Sequence, residues 1–142
     1  MKKIFIAGSM HFAKEMLKAQ KTLKKLGYRV VIPSDTLACL ENPELNMDDN
    51  HCFSKDIMRN SMKKQKQCDA ILVLNYPKNK IDGYIGGAVL IELGLAYFLN
   101  QKIFLLYPPP SIKDLRYSQE ILHMKPIILC GNLSKIADYL SS

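Results

Sequence analysis

Five consecutive apolar residues, Ala70-Ile71-Leu72-Val73-Leu74, directly follow Cys68-Asp69. A strand with one solvated face alternates apolar and polar side chains, so an unbroken apolar run of this length belongs to a strand covered on both faces. Such strands are the centres of parallel sheets sandwiched between helices.

The rest of the chain supplies the matching pieces. Lys3 to Ala7 is a second short apolar run and ends in Gly8-Ser9. From His11 to Leu26, Phe12, Met16, Leu17, Leu23 and Leu26 recur at helical spacing, and Gly27 is a natural stop. Tyr28 to Ile32 reads as a β-branched strand closed by Pro33, and Ser34 to Asn50 is polar and irregular apart from Leu37 to Leu40. The spacing of Phe53, Ile57 and Met62 predicts a helix over His51 to Gln67. After the central strand come a loop, Asn75 to Gly87, an apolar helix, Ala88 to Leu99, and a strand, Lys102 to Tyr107, ended by Pro108-Pro109-Pro110. Ile127 to Leu129 is the last strand, and Asn132 caps a final helix to Leu140.

Strands alternating with helices predict a three-layer α/β domain, flavodoxin-like (Rossmann-like), with a five-stranded parallel sheet in the order 2-1-3-4-5. No repeat or linker divides the chain, so residues 1–142 are read as one domain. In such a sheet the ligand crevice lies beyond the carboxyl ends of strands 1 and 3, where the order reverses. Gly8-Ser9-Met10-His11 and the Asn75 to Gly87 loop must meet there.

Composition narrows the partners. Against 13 Asp+Glu stand 20 Lys+Arg, a formal charge of +7, yet only Arg29, Arg59 and Arg116 are arginines. The lysines (Lys14, Lys18, Lys21, Lys24, Lys25, then Lys55, Lys63, Lys64, Lys66) fall on solvated helix faces without interleaved aromatics, a pattern unlike a nucleic-acid reader. No stretch approaches the roughly 18–20 apolar residues of a membrane span, so a soluble, cytoplasmic protein is expected. Cys39, Cys52, Cys68 and Cys130 form no CxxC pair and have no histidine at zinc spacing. They read as buried thiols, and neither a metal nor a cofactor is indicated.

Two features of the crevice carry chemistry. The segment Asp82-Gly83-Tyr84-Ile85-Gly86-Gly87 runs straight into a helix, which suits either a phosphate or sugar oxygen at the first helix amides or simply a tight turn into the helix. Glu92 lies within Ala88-Val89-Leu90-Ile91-Glu92-Leu93-Gly94-Leu95-Ala96-Tyr97, where a carboxylate has no evident solvated face. A buried charge normally has a partner or a task, so Glu92 is either a nucleophile or a glutamate paired with a lysine or a backbone amide. Ser9 can face a phosphate or cap the first helix, His11 faces the ligand side, and Tyr84 either closes over a ligand or packs as a loop aromatic. Asp69, at the amino end of the central strand, reads as a cap or surface ion pair.

Together, Ile4-Phe5-Ile6-Ala7-Gly8-Ser9, Cys68-Asp69-Ala70-Ile71-Leu72-Val73-Leu74-Asn75, Gly86-Gly87 and Glu92-Leu93-Gly94-Leu95-Ala96 resemble the nucleoside 2-deoxyribosyltransferase-like superfamily. That superfamily includes the 2'-deoxynucleoside 5'-monophosphate N-hydrolases. The resemblance implies that Glu92 is a nucleophile attacking the anomeric carbon of a nucleoside or nucleotide, and that Gly8, Ser9, Gly86 and Gly87 surround the sugar and its 5' group. It also implies a homodimer or higher homo-oligomer, in which Ser118 reaches a neighbouring subunit's phosphate. The chain departs from the family where Ser61 replaces an aspartate and where Ala88-Val89 occupy the places of the transferases' acidic residue close before the Glu and of the Gly-Thr or Gly-Val four residues ahead of it. Asp82 is then the candidate acid for the leaving base. These departures favour hydrolysis over transfer and leave open a noncatalytic nucleotide-binding module on the same scaffold.

Overall fold

The computed structural model describes residues 1–42, 44 and 56–142. In chain order the elements are β1 (Lys3–Ala7), a 3-10 turn (Met10–Phe12), α1 (Ala13–Lys25), β2 (Arg29–Val31), α2 (Thr36–Glu41), α3 (Ile57–Lys66), β3 (Ala70–Val73), α4 (Gly87–Phe98), β4 (Lys102–Leu105), α5 (Ser118–His123), β5 (Ile127–Ile128) and a 3-10 segment (Leu133–Asp138). The five strands form one parallel sheet in the order β2-β1-β3-β4-β5, as expected. Ile4 stands beside both Val30 and Ala70, and Ile71 beside Ile103.

Strand alternation sorts the core into two layers. Ile4, Ile6, Ala70, Leu72, Leu74, Phe104 and Leu106 face the side covered by α1 and the last 3-10 segment, meeting Met16, Leu23 and Ile136. Phe5, Ala7, Ile71, Val73, Ile103 and Leu105 face the other side, meeting Val89, Leu93 and Ala96 of α4 and Ile121 of α5. Each large side chain removed from water in this way contributes about 1.5–3 kcal/mol. The apolar run of β3 is thus explained by burial on both faces.

Helix ends follow local chemistry. α1 stops where Gly27 takes φ 96 and Tyr28 N–H reaches back to Leu23 O at 3.1 Å. α4 stops the same way: Asn100 adopts φ 57, and Gln101 N–H donates to Ala96 O at 2.9 Å. Gln101 also joins α4 to α3. Its Nε2 donates to Gln65 O at 2.7 Å and Cys68 O at 2.9 Å, while Gln65 Nε2 donates to Glu92 O at 2.7 Å.

Several expected elements differ. The residues at 11 and 12 open as a 3-10 turn, with Ser9 Oγ accepting from His11 N–H at 3.2 Å, and α1 begins at Ala13. The final helix is a 3-10 segment capped by Asn132 as expected. α2 and α5, each 6 residues, carry no sequence signal of their own, because a helix this short shows less than two turns of periodicity. Of the helix expected over 51–67, residues 57–66 are helical, and 51–55 lie outside the described residues, with Cys52 and Phe53. Cys39 and Cys68 are buried, whereas Cys130 is exposed, correcting the expectation of a buried thiol there. Lys14, Lys18, Lys21, Lys24, Lys25, Lys63, Lys64 and Lys66 are all exposed. No helix among the described residues is long and apolar enough to cross a membrane.

Candidate functional site

The carboxyl ends of β1 and β3 release the two segments expected to meet. Gly8 leaves β1 close against the neighbouring strand: a side chain there would lie 3.2 Å from Met16 Cε and 3.3 Å from Leu74 O. Ser9 follows, and its Oγ accepts a hydrogen bond from Lys78 Nζ at 2.9 Å. Lys78 in turn lies over the Tyr84 ring, 5.9 Å from its centroid, and Tyr84 flanks Gly86, the residue before α4. Ser9, Lys78, Tyr84 and Gly86 therefore form a contiguous chain of neighbours. Gly87 opens the helix, and a side chain there would meet nothing within 4 Å, so packing does not explain the glycine. His11 is exposed, its ring meeting Phe12 edge-on at 5.1 Å.

Glu92 lies on the second turn of α4, on the side facing α3. Among the described residues neither a lysine nor a backbone amide pairs with its carboxylate, which removes the simple structural explanations for a glutamate in this apolar helix. Burial pushes its pKa up from 4.5 to about 7, and the charge of Asp35 adds to the rise. Asp35 precedes α2, is 6% exposed and accepts a hydrogen bond from Cys39 Sγ at 3.4 Å. The charge of a second carboxyl group thus reaches Glu92 in this crevice, and the sequence carries no signal for it. Asp35 stands in a polar stretch without periodicity, so its burial emerges only when the β2–α2 turn folds over the crevice.

Asp82, the expected acid, lies elsewhere. It is exposed and lines a cavity of about 580 Å³ with Tyr76, Lys80, Tyr107, Pro108 and Asp114. Tyr76 and Tyr107 pack on the α1 side of the sheet, whereas Glu92's helix packs on the other. Asp35, and not Asp82, is the carboxyl group whose charge acts on Glu92. The walls of this cavity are fixed by Asn75, which is 1% exposed: its Nδ2 donates to Tyr107 O at 2.7 Å and Gly83 O at 3.3 Å, and its Oδ1 accepts from Tyr107 N–H at 2.9 Å. Gly83 adopts φ 71, and a Cβ there would fall 2.1 Å from Pro108 O, so only glycine fits.

Ser118 is also displaced from its expected role. It is fully buried at the start of α5, and its hydroxyl has no hydrogen-bond partner, so it does not present itself at the surface to a neighbouring subunit. Ser61 is buried in α3. Asp69 accepts from Lys3 N–H at 2.8 Å at the amino ends of β1 and β3, the capping role expected of it. Among the described residues no three His, Cys, Asp or Glu side chains gather as a metal ion requires.

The crevice thus offers an unpaired carboxyl group with a raised pKa, a second carboxyl group near it, and a serine–lysine pair beside the start of a helix. This equipment suits nucleophilic or acid–base work on a small ligand carrying an anionic end. No protein-family model matches the chain, and no curated protein matches its sequence.

Proposed function

We propose that this chain is an N-glycosidase-type enzyme that cleaves the base from a nucleoside or a deoxynucleoside 5'-monophosphate, with Glu92 as nucleophile. The observation that carries the reading is the unpaired, largely desolvated Glu92 carboxyl group in a switch-point crevice. The motif Glu92-Leu93-Gly94-Leu95-Ala96, similar to that of the nucleoside 2-deoxyribosyltransferase-like superfamily, supports it.

In the proposed reaction a Glu92 oxygen bonds to the anomeric carbon while the bond from that carbon to the base nitrogen breaks. The base leaves with the bonding electrons and takes up a proton. Water then attacks the same carbon, the bond to the Glu92 oxygen breaks with its electrons returning to the carboxylate, and the water's proton passes to solvent, balancing the one the base took up. Two smaller barriers replace one large one, each passing through an oxocarbenium-like state that a nearby carboxylate stabilises. Asp35 is the carboxyl group whose charge Glu92 feels, and in that ionised form it is the nearby carboxylate that stabilises the oxocarbenium-like state, while the leaving base takes its proton from solvent. Side chains and water suffice for these steps.

One observation favours a second reading. A carboxyl group with a pKa of about 7 is half neutral at neutral pH, which weakens it as a nucleophile and suits a noncatalytic nucleotide-binding module. The homo-oligomer is proposed on separate grounds: Ile91 (47% exposed) and Phe98 (84% exposed) leave an apolar stripe along the outer face of the Glu92 helix.

The test is incubation with a panel of nucleosides, deoxynucleosides and their 5'-monophosphates, followed by chromatography for free base. Release by the wild type and its loss in Glu92→Gln supports the enzyme. Ligand-dependent thermal stabilisation with no base released supports the binding module.

A further inference from the structure

We propose that the cavity between the β3–α4 and β4–α5 loops is a second ligand site, which takes a small organic cation: a primary ammonium group carried on a flat aromatic body. Neither Glu92 nor Asp35 lines it, nor do Gly8 and Ser9, so the site stands apart from the proposed glycosidase chemistry.

The cavity measures about 580 Å³, within the range of small-molecule sites. Two half-buried rings and three consecutive prolines supply its apolar wall. Tyr76 and Tyr107 stand 6.0 Å apart between centroids, inclined at 62°, and Pro108 to Pro110 follow β4. Tyr76 also packs against Phe12, 5.2 Å between centroids, and the buried Asn75 amide ties the two loops together through Tyr107 and Gly83. Proline rings cannot rotate away, and the tyrosines are held by their neighbours. The wall is therefore in place before a ligand arrives, and little conformational entropy is lost on binding.

Charge selects the ligand. Asp82 directly follows a two-residue hairpin closed by reciprocal bonds, Lys78 N–H to Ile81 O at 3.1 Å and Ile81 N–H to Lys78 O at 2.9 Å. Asp114 is set by a turn in which its N–H reaches Ser111 O at 3.1 Å and Ser111 Oγ at 3.2 Å. Among the described residues neither carboxylate has a hydrogen-bond or ion-pair partner, and Lys80 of the same lining pairs with neither. Two negative charges against one positive favour a cation, as do the electron-rich faces of tyrosine rings. The chain as a whole carries a formal charge of +7, so the attraction for a cation must come from these two carboxylates. An ammonium group would meet them while its aromatic body lies on the tyrosines and prolines.

Calorimetric titration of the full chain with tyramine tests the site, beside 4-ethylphenol, which keeps the ring without the charge, and butylamine, which keeps the charge without the ring. The wild type should bind tyramine at least about tenfold more tightly than either. Asp82→Asn and Asp114→Asn should each weaken tyramine binding roughly two- to fivefold, and the double variant should lose the preference over 4-ethylphenol. Lys80→Met removes the opposing charge and should tighten tyramine binding roughly twofold. All three side chains are exposed, so these changes leave the fold intact. Asp138→Asn, which removes an exposed carboxylate outside the lining, and Glu92→Gln should both bind tyramine as the wild type does. Equal affinity for tyramine and 4-ethylphenol, no binding at all, or an unchanged affinity in the double variant overturns the site. Loss of tyramine binding in Glu92→Gln assigns the ligand to the crevice and overturns it too. Carboxylate-dependent tyramine binding by a chain that releases no base preserves this site and overturns only the glycosidase.

Discussion

Gln65 Nε2 donates a hydrogen bond to the backbone carbonyl of Glu92 at 2.7 Å, from a side chain that is completely buried. The bond links the α3–α4 seam to the residue at the centre of the proposed chemistry. It fixes the rotation of α4 at the turn that carries the carboxyl group. Gln65→Met, similar in volume but unable to donate, should cost about 1–2 kcal/mol of stability. As a positioning residue it should lower kcat more than it changes KM, because a misaimed nucleophile still allows substrate to bind. Steady-state kinetics of the variant, beside a urea melt, would separate the two effects.

Glu92 makes stability depend on pH. Its pKa is raised from 4.5 to about 7, so the folded chain holds the proton more tightly than the unfolded one. The stabilisation is complete below the unfolded value and is lost as pH rises through about 7. Glu92→Gln abolishes this titration. Its stability relative to the wild type should therefore increase between about pH 5 and about pH 8, on the order of 2 kcal/mol. Urea denaturation at both pH values measures it, and a constant difference would show that Glu92 is solvated in the folded chain.

Asp35 contributes to that raised pKa. Asp35→Asn removes the charge and retains the size, so ionisation of Glu92 should become easier. The acidic limb of the pH–rate profile, which on the proposed mechanism follows Glu92 ionisation, should move to lower pH. If the Asp35 charge also stabilises the oxocarbenium-like state, the maximal rate should fall by roughly 10²–10³. A profile that keeps both its midpoint and its height would uncouple Asp35 from the site.

The loop that carries Lys78 and Tyr84 is anchored at Gly83 against Pro108. Gly83→Ala must both tolerate φ 71 and displace a carbonyl oxygen 2.1 Å from the new methyl group. Destabilisation by more than about 2 kcal/mol is expected, whereas Gly87→Ala, which meets no neighbour within 4 Å, should change stability by about 0.5 kcal/mol or less. Thermal melts of the pair are a direct comparison.

The sheet was legible in the sequence because burial on both faces leaves a run such as Ala70 to Leu74, and a parallel sheet then places its crevice by topology. Glu92 was legible because a carboxylate amid Val89, Leu90, Ile91 and Leu93 has no innocuous place. Asp35 and Lys78 were not. One acid in a polar turn and one lysine among many carry no periodic signal, and each acquires its role when a loop folds back onto a distant segment. Asp82 and Ser118 show the converse: their positions along the chain suggested the crevice, but Asp82 is exposed and lines a cavity with Tyr107 and Asp114, and α5 turns Ser118 inward.

On the proposed reaction Glu92 becomes covalently attached to the sugar. Rapid acid quenching during turnover of the best substrate from the panel, followed by intact-mass and peptide mass spectrometry, detects that bond. An added sugar, or sugar phosphate, is expected on the peptide containing Glu92, disappearing as substrate is exhausted and absent in Glu92→Gln. Turnover with no adduct at any time point, or an adduct on another residue, would rule Glu92 out as the nucleophile.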